Sequence, residues 1–172
     1  MNQLMQTERL YFREFTLDDA VLLYEMHQDP AITRYTADPI PWDSVERVVG
    51  ILKDTIMPQY KNKMGRWAVH LKEGDTFIGW CGLKKVGDEI DLGYRFKKQF
   101  WGKGYATEAA KGVLEYGVKM ELQNIVGRAS IANVASVNVL KKIGLVYQKN
   151  YQEGIVESVT FVCDVSVLRN MK

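Results

Sequence analysis

Residues 94–109 read YRFKKQFWGKGYATEA, and this stretch indicates both the fold and a first candidate site. A strand-like run ends before a turn that contains Gly102 and Gly104, and a helix with one apolar face follows. The first turn of a helix has N–H groups without intrahelical partners, and its aligned peptide dipoles add about half a positive charge. The glycines let the backbone curl around a ligand, and Lys103 adds a positive charge. The sequence therefore predicts an anion site at this turn.

Glycine-spaced turns before helices also bind dinucleotides and nucleoside triphosphates, so the turn alone is not specific. The chain has no G-x-G-x-x-G followed by an acid about twenty residues later, and no G-x-x-x-x-G-K-[ST] loop. A turn that needs glycine only to pack the helix against the strand is the structural alternative.

Strand and helix patterns alternate on both sides of this turn. Strand patterns occupy about residues 10–15, 67–71, 76–83, 90–96, 124–131, 145–151 and 158–165. Helix patterns occupy about residues 16–28 and 44–56, the part of 99–120 that follows the glycine turn, and about residues 132–144. Asp29-Pro30 ends the first helix, and Gly144 ends the last. The order β-α-α-β-β-β-α-β-α-β-β predicts one α+β domain over residues 1–172, with a mixed, largely antiparallel sheet of about seven strands flanked by about four helices.

The composition is that of an ordinary globular protein, with 47% hydrophobic and 26% charged residues. The formal charge is only +2, from 23 basic and 21 acidic residues spread along the chain, so we expect no nucleic-acid or membrane partner. No apolar run approaches the roughly 20 residues of a membrane span, and the start MNQLMQTERLYF has neither a basic leader nor an apolar signal stretch. We therefore expect a cytoplasmic protein.

The cysteines and histidines are isolated in the sequence. Cys81 and Cys163 lie in apolar strand-like runs without the paired spacing of metal ligands, so we expect buried reduced thiols and no metal site. His27 and His70 also lack partners in the sequence, and we expect them in structural or surface positions.

The run FWGKGYATEA at 100–109 resembles motif A of the GNAT superfamily of N-acetyltransferases, whose pattern is Gln/Arg-x-x-Gly-x-Gly/Ala. In the preferred register, residues 101–106, Trp101 replaces the usual Gln or Arg. The pattern also fits two residues earlier, beginning at Gln99. The Trp101 register is preferred because the whole run resembles the branch that contains the ribosomal-protein-alanine N-acetyltransferases, which commonly has Trp there.

Three further stretches resemble the same branch, so the resemblance covers nearly all of the chain. They are TERLYFREFTLDDA at 7–20, TFIGWCGL at 76–83, and NVASVNVLKKIGL at 133–145, where Leu145 replaces the final Phe of an Asn-x-x-Ser-x-x-Val-Leu-x-Lys-x-Gly-Phe element. The resemblance implies a GNAT fold and an acetyltransferase that uses acetyl-CoA as co-substrate. The acceptor would be a primary amine, either a protein N-terminal α-amine or a small molecule, attacking directly in a ternary complex.

The resemblance also assigns the coenzyme A contacts residue by residue. The backbone of Tyr94, Arg95 and Phe96 is expected to pair with the pantetheine arm, and Asn133 matches the position that hydrogen-bonds it. Lys142 matches a position near the adenosine 3′-phosphate, with a solvated helix lysine as the alternative. The pyrophosphate is assigned to Trp101, Gly102, Lys103, Gly104, Tyr105, Ala106 and Thr107.

An amine attacks a thioester only in its neutral form, so one proton must leave the amine and another must reach the thiolate. Glu89 and Asp91 share one strand face before motif A and are the candidate bases, with solvated edge charges as the alternative. An α-amine, with a pKa of about 8, does not require a base, whereas a lysine amine at about 10.4 needs more help. Leu140 occupies the position where many members have a Tyr acid. Ser136, one helical turn after Asn133 and expected to face the coenzyme too, is the substitute donor, directly or through water.

The loop from Tyr35 to Trp42 contains aromatic and proline residues, and we expect Tyr35 and Trp42 to contact the acceptor. Trp67 and Trp80 lie inside strands, where core positions are the more frequent role. The missing Tyr leaves a second hypothesis, a non-catalytic acyl-CoA-binding module, and a nucleotide-binding domain is a third. Polyamines, amino acids, antibiotics and ribosomal-protein termini all fit as acceptors. The chain is expected to be a monomer or a homodimer.

Overall fold

An open sheet of eight strands organises the part of the chain that the computed structural model describes, residues 3–36 and 41–164. The strands are β1 (Gln3–Gln6), β2 (Leu10–Arg13), β3 (Gly65–Leu71), β4 (Phe77–Val86), β5 (Glu89–Phe96), β6 (Ile125–Ser130), β7 (Val146–Glu153) and β8 (Val156–Val162). Their spatial order is β1-β2-β3-β4-β5-β6-β8-β7. In these ranges β5 and β6 pair in parallel, and every other neighbouring pair is antiparallel.

Helices cover both faces of the sheet. They are α1 (Ala20–His27), α2 (Pro30–Thr33), α3 (Val45–Ile51), α4 (Tyr105–Lys119) and α5 (Val134–Lys142). After α3 the chain continues as a wider turn, Leu52–Ile56, and a tighter one, Met57–Asn62. The predicted α+β fold with a mixed, largely antiparallel sheet is confirmed, with one strand and one short helix more than expected. No helix within the described part of the chain is both long enough and apolar enough to cross a bilayer.

The two additional elements have identifiable causes. The strand is β1, whose sequence QLMQ places its apolar residues side by side, so no alternating strand pattern is present. It is held instead by antiparallel pairing with β2. The helix is α2, because Pro30 begins a new turn after the end of α1. Asp29 caps this turn, its Oδ1 accepting a hydrogen bond from the Ala31 N–H at 2.9 Å.

Side chains of the strands alternate between two hydrophobic cores, one on each face of the sheet. In β3, Trp67 and Val69 belong to the core that α4 and α5 cover, whereas Ala68 belongs to the core that α1 and α3 cover. The expected core position of Trp67 is confirmed, because only 1% of its surface is exposed. The same alternation assigns the side chains of β5 and β6 to one face or the other.

β5 and β6 separate after a short paired stretch, and this separation positions the candidate site. The last paired residues are Leu92 and Gly127. Beyond them, within the described chain, residues 93–96 pair only with β4 and residues 128–130 pair only with β8. The two facing strand edges therefore present backbone N–H and C=O groups that an extended ligand could pair with as an added strand does.

Candidate active site

A cavity of about 720 Å³ occupies the gap between the separated edges of β5 and β6. One end reaches the glycine turn and the first turn of α4, and the other end reaches the segment that follows α2. Every residue that the sequence assigned to the cofactor lines this cavity except Lys103, and the predicted acceptor residue Tyr35 lines it too. The structure therefore brings Tyr35 and the expected cofactor residues other than Lys103 to one cavity.

The glycine turn before α4 has the geometry of an anion site. Gly102 and Gly104 have φ angles of +74° and +81°, in the left-handed region that favours glycine. The first hydrogen bond of α4 runs from the Glu108 N–H to the Gly104 carbonyl at 3.0 Å. The N–H groups of Tyr105, Ala106 and Thr107 precede that bond and belong to the unpaired first turn of the helix. Both the N–H groups and the positive end of the helix dipole face the cavity end.

Lys103 and Arg9 shape this turn from outside the cavity. The Lys103 ammonium lies 5.6 Å from the centre of the Phe100 ring, so its charge acts on the site from the rim. Arg9, which the sequence did not single out, donates from Nη1 to the Lys103 carbonyl at 3.0 Å and from Nε to Glu108 at 2.6 Å. Burial raises the pKa of Glu108, but hydrogen bonds from Thr7 and Arg9 outweigh it and leave the pKa below its usual value. Arg9 is 94 residues from Lys103 in sequence, so no spacing signal could reveal this contact.

Trp101 fixes the turn to the end of β5. Its indole Nε1–H donates to the Phe96 carbonyl at 2.7 Å, while 47% of the residue stays exposed. This hydrogen bond is a structural explanation for Trp at the position where the family pattern has Gln or Arg.

A pair of hydroxyl groups bridges the cavity between β5 and α5. The Tyr94 hydroxyl lies 2.9 Å from Ser136 Oγ and donates to the Ser136 carbonyl at 3.0 Å. Asn133 caps α5, its Oδ1 accepting from the Ser136 N–H at 3.1 Å. Burial raises the pKa of Tyr94, so its phenol keeps its proton at neutral pH. Tyr94 was predicted to contribute its backbone, and the structure adds its side chain to the site. Lys142, exposed at the end of α5, lines the cavity as well.

The acceptor end combines the turn after α2 with side chains of β5 and β6. The Arg34 guanidinium stacks 4.3 Å from the centre of the Tyr35 ring, and both residues line the cavity. Trp42 does not line the cavity as far as the described residues show, but stacks on His27 with ring centres 3.4 Å apart. Residues 37–40, which complete the predicted aromatic loop, lie outside the described residues.

His27 connects Trp42 to the cavity through Arg95. Nη1 of Arg95 donates to His27 Nε2 at 2.7 Å, and Arg95 lines the cavity. Burial, and then the charge of Arg95, lowers the pKa of His27 to about 3, so the ring is neutral. His27 is thus buried and holds Arg95 in place, which agrees with the expected structural role. Trp80, expected in the core, is half-buried and lies 5.6 Å from the Arg95 guanidinium.

The two candidate bases are held by arginines beside the cavity. Asp91 contacts Arg66 through Oδ2, and its Oδ1 lies 3.5 Å from Nη1 of Arg128. Glu89 contacts the same Arg128 through Oε2. Among the described residues, Arg128 lines the cavity and neither carboxylate does. An approaching amine would therefore meet a guanidinium before it met Asp91, and the role of either carboxylate stays a prediction.

The acetyltransferase (GNAT) domain profile matches residues 9–146 of the chain. The chain belongs to the GNAT family. It is 31% identical over 147 residues to YnaD of Bacillus subtilis (strain 168), an uncharacterized N-acetyltransferase, which covers 81% of this chain and 80% of that one. A GNAT-family acetyltransferase from Bacillus anthracis superposes with a TM-score of 0.80 at 22% identity, covering 94% and 98% of the two chains. RimL, a ribosomal L7/L12 α-N-protein acetyltransferase solved in complex with coenzyme A, superposes with a TM-score of 0.78 at 13% identity, covering 95% and 99%.

The chain is thus an acetyl-CoA-dependent N-acetyltransferase of the GNAT family. It departs from many members at Leu140, which stands at the position of their Tyr. Leu140 is fully buried, and a Cβ added to Gly127 would lie 2.5 Å from its Cδ2. The position is therefore part of the core beneath α5 and offers no proton donor.

The cysteines of this GNAT chain lie away from the cavity lining. Cys81 is buried, as expected, and burial raises its pKa to about 12. Cys163 is only half-buried, contrary to expectation, because it follows the last residue of β8. Within residues 3–36 and 41–164, no three His, Cys, Asp or Glu side chains come together in a way that could hold a metal ion.

Proposed function

We propose that this acetyltransferase acts on a primary amine, a protein N-terminal α-amine or a small molecule, by direct attack on acetyl-CoA in a ternary complex. The observation that carries the proposal is one cavity that runs from the glycine turn before α4 to Tyr35. Two ligands that enter from these two ends meet between the edges of β5 and β6. Direct transfer needs such a meeting point, since both reactants must be held together.

Coenzyme A would occupy the end that carries the helix N-terminus. Its pyrophosphate would accept hydrogen bonds from the first N–H groups of α4, and its pantetheine arm would pair with the free edge at residues 94–96. Asn133 supports this placement, because its Oδ1 caps α5 and leaves the amide NH₂ for the ligand. Lys142 would meet the adenosine 3′-phosphate.

The reaction moves one acetyl group and two protons. The neutral amine nitrogen attacks the thioester carbonyl carbon, the carbon–sulfur bond breaks, and the amine proton leaves to a base or to water. The coenzyme A thiolate then takes a proton. Ser136 is the proposed donor, directly or through water, and it then regains a proton from water. Tyr94 supports this role because its hydroxyl lies 2.9 Å from Ser136 Oγ and holds the serine hydroxyl in place. Asp91 and Glu89 are proposed bases, acting directly or through a water.

The test is release of free coenzyme A thiol by the purified protein with acetyl-CoA and a panel of amines. The proposal expects thiol release that depends on an added amine and yields the N-acetyl product by mass spectrometry. A protein that binds acetyl-CoA but releases no thiol with any amine would be the non-catalytic acyl-CoA-binding module. Competition by adenosine triphosphate at the same site would favour a nucleotide-binding domain. Cytoplasmic location and a monomeric or homodimeric state stay predictions.

A further inference from the structure

The acceptor end of the cavity is lined by arginines. Arg34, Arg95 and Arg128 contribute to it, and no Asp or Glu of the described ranges lines the cavity. A protonated amine or a polycation is repelled by such a surface, whereas a carboxylate or phosphate is attracted. The charge at this end therefore discriminates among the acceptors that fit the sequence equally well.

Two of these arginines, Arg95 and Arg128, lie on the face of the sheet opposite α4 and α5. In β5, Phe96 packs in the core under α4 and α5, so Arg95 points to the opposite face by alternation. In β6, Gly127 approaches Leu140 of α5, so Arg128 also points to the opposite face. The coenzyme anions have their own partners at the α4 end of the cavity. The arginines are thus placed for a second anion.

Of the three, Arg95 combines deep burial with the absence of a carboxylate partner among the described residues. Arg128 is already paired with Glu89 and Asp91, and Arg34 is stacked on Tyr35. Arg95 contacts the neutral ring of His27, and no carboxylate of residues 3–36 and 41–164 forms an ion pair with it. Burial, and then the neighbouring Arg66, lowers the pKa of Arg95 to about 10, which leaves it charged at neutral pH.

The guanidinium of Arg95 is also held in a fixed position. One N–H is donated to His27 at 2.7 Å, the ring of Trp42 stacks on that histidine, and Trp80 lies beneath the guanidinium. Its remaining donors form a rigid fork that matches a carboxylate or phosphate. An ordered, desolvated cation costs free energy to maintain unless a partner uses it.

We propose that the acceptor is a small-molecule amine that also carries a carboxylate or phosphate, and that Arg95 binds this anionic group. The inference rests on the proposed function and narrows its acceptor. α-Amino acids and phosphorylated amines fit the site, whereas polyamines and polycationic antibiotics do not. Arg95 acts as a specificity residue, because the anion anchors the molecule while its amine reaches the thioester.

The experiment compares amines with and without the anionic group, and kcat/KM is expressed per neutral amine because the anion also raises the pKa of the amine. L-leucine is compared with L-leucinamide, and O-phosphoethanolamine with ethanolamine, using thiol release at saturating acetyl-CoA. We expect kcat/KM to favour the anionic member of at least one pair by about 10- to 150-fold, the value of a hydrogen-bonded charge. The pair that responds tells a carboxylate from a phosphate. Arg95→Met should abolish that preference through KM while the acetyl-CoA-dependent rise in Tm persists, which shows that the variant folds.

Arg47→Met on α3 is the matched control, since it removes the same charge from a side chain that is 45% exposed on the surface. It should keep the preference. Preferred turnover of spermidine or of a peptide N terminus without acidic residues, or an unchanged preference in Arg95→Met, would overturn the proposal.

A binding measurement separates this proposal from the proposed function. Calorimetry with N-acetyl-L-leucine and N-acetyl-L-leucinamide in the presence of coenzyme A needs no turnover. Preference for the acid in the wild type and its loss in Arg95→Met would support the anion site even if no amine were acetylated. Equal binding of these two compounds, together with equal binding of N-acetyl-O-phosphoethanolamine and N-acetylethanolamine, would contradict the anion site while leaving the acetyltransferase intact.

Discussion

At the scale of single residues, the paired hydroxyls of Tyr94 and Ser136 provide the proposed proton donor, because the Leu140 side chain cannot donate a proton. Ser136→Ala removes the group next to the expected thiolate, so kcat should fall by about 100-fold, the lower range for proton transfer by a positioned side chain. The affinity for acetyl-CoA should change little, because the backbone and Asn133 are retained. Steady-state kinetics and calorimetry with acetyl-CoA measure the two quantities.

Tyr94→Phe tests whether the phenol holds the Ser136 hydroxyl in place, and it should also lower kcat. Tyr147→Phe is the control, because it removes a hydroxyl from a residue that is 60% exposed on β7. Equal losses of kcat and of acetyl-CoA affinity in Ser136→Ala would assign Ser136 to structure rather than to proton transfer.

The carboxylates beside Arg128 make a second prediction at this scale. If Asp91 accepts the amine proton, Asp91→Asn keeps the shape, removes the base and lowers kcat by at least about 100-fold with acetyl-CoA binding intact. The pH–rate profile of the wild type would then contain a limb that the variant lacks. Glu89→Gln is the matched variant, since both carboxylates contact Arg128. Near-full activity in both variants, with a profile that follows only the pKa of the acceptor, would exclude a carboxylate base.

At the scale of elements, local signals predicted what local physics determines. Alternation revealed seven strands, and Gly144 ended α5 with a φ of +91° as a left-handed cap does. The sequence did not predict the strand β1, because only its pairing with β2 defines it. Asp29-Pro30 predicts the end of the first helix, but a proline is equally suited to begin a helix. Propensity describes single segments, whereas pairing and capping depend on the neighbour that tertiary structure supplies.

The turn before α4 carries the prediction for this scale. Acetyl-CoA at about 100 times its Kd should stabilise the fold by about 2.7 kcal/mol and raise Tm by about 5–11 °C. Gly102→Asp should abolish this rise, because it puts a carboxylate on the anion site and a side chain at a φ of +74°. Gly154→Asp is the matched control, with a φ of +59° and open space around its Cβ in the β7–β8 turn. Thermal unfolding with and without acetyl-CoA measures the shift.

A full shift in folded Gly102→Asp would refute the pyrophosphate assignment.

At the scale of the whole molecule, the site is assembled from segments that are distant in sequence. Arg9 and Glu108, 99 residues apart, fix the turn before α4, and Arg95 and His27 meet across 68 residues. Motif spacing predicted the cofactor residues because they follow one another along the chain. It gave Arg95 only a backbone role and did not predict Arg34 or Arg128, because the relation among these side chains exists only after β5, β6 and the first helices have packed.

The buried histidines give the last prediction, which concerns the stability of the whole chain. The folded-state pKa of His27 is about 3, against 6.5 for the free side chain, so the unfolded state binds one more proton between these values. The stabilisation is therefore complete above pH 6.5 and is lost as the pH falls towards 3. Between pH 6 and 5, the unfolding free energy should fall by about 1 kcal/mol per pH unit from His27, with a further loss from His70, whose pKa burial also lowers. His27→Gln keeps an acceptor for Arg95 and removes the titrating group. It should therefore lower this slope by about 1 kcal/mol per pH unit. Urea unfolding at several pH values measures it, and an identical slope in the variant would show that His27 is protonated in the folded protein.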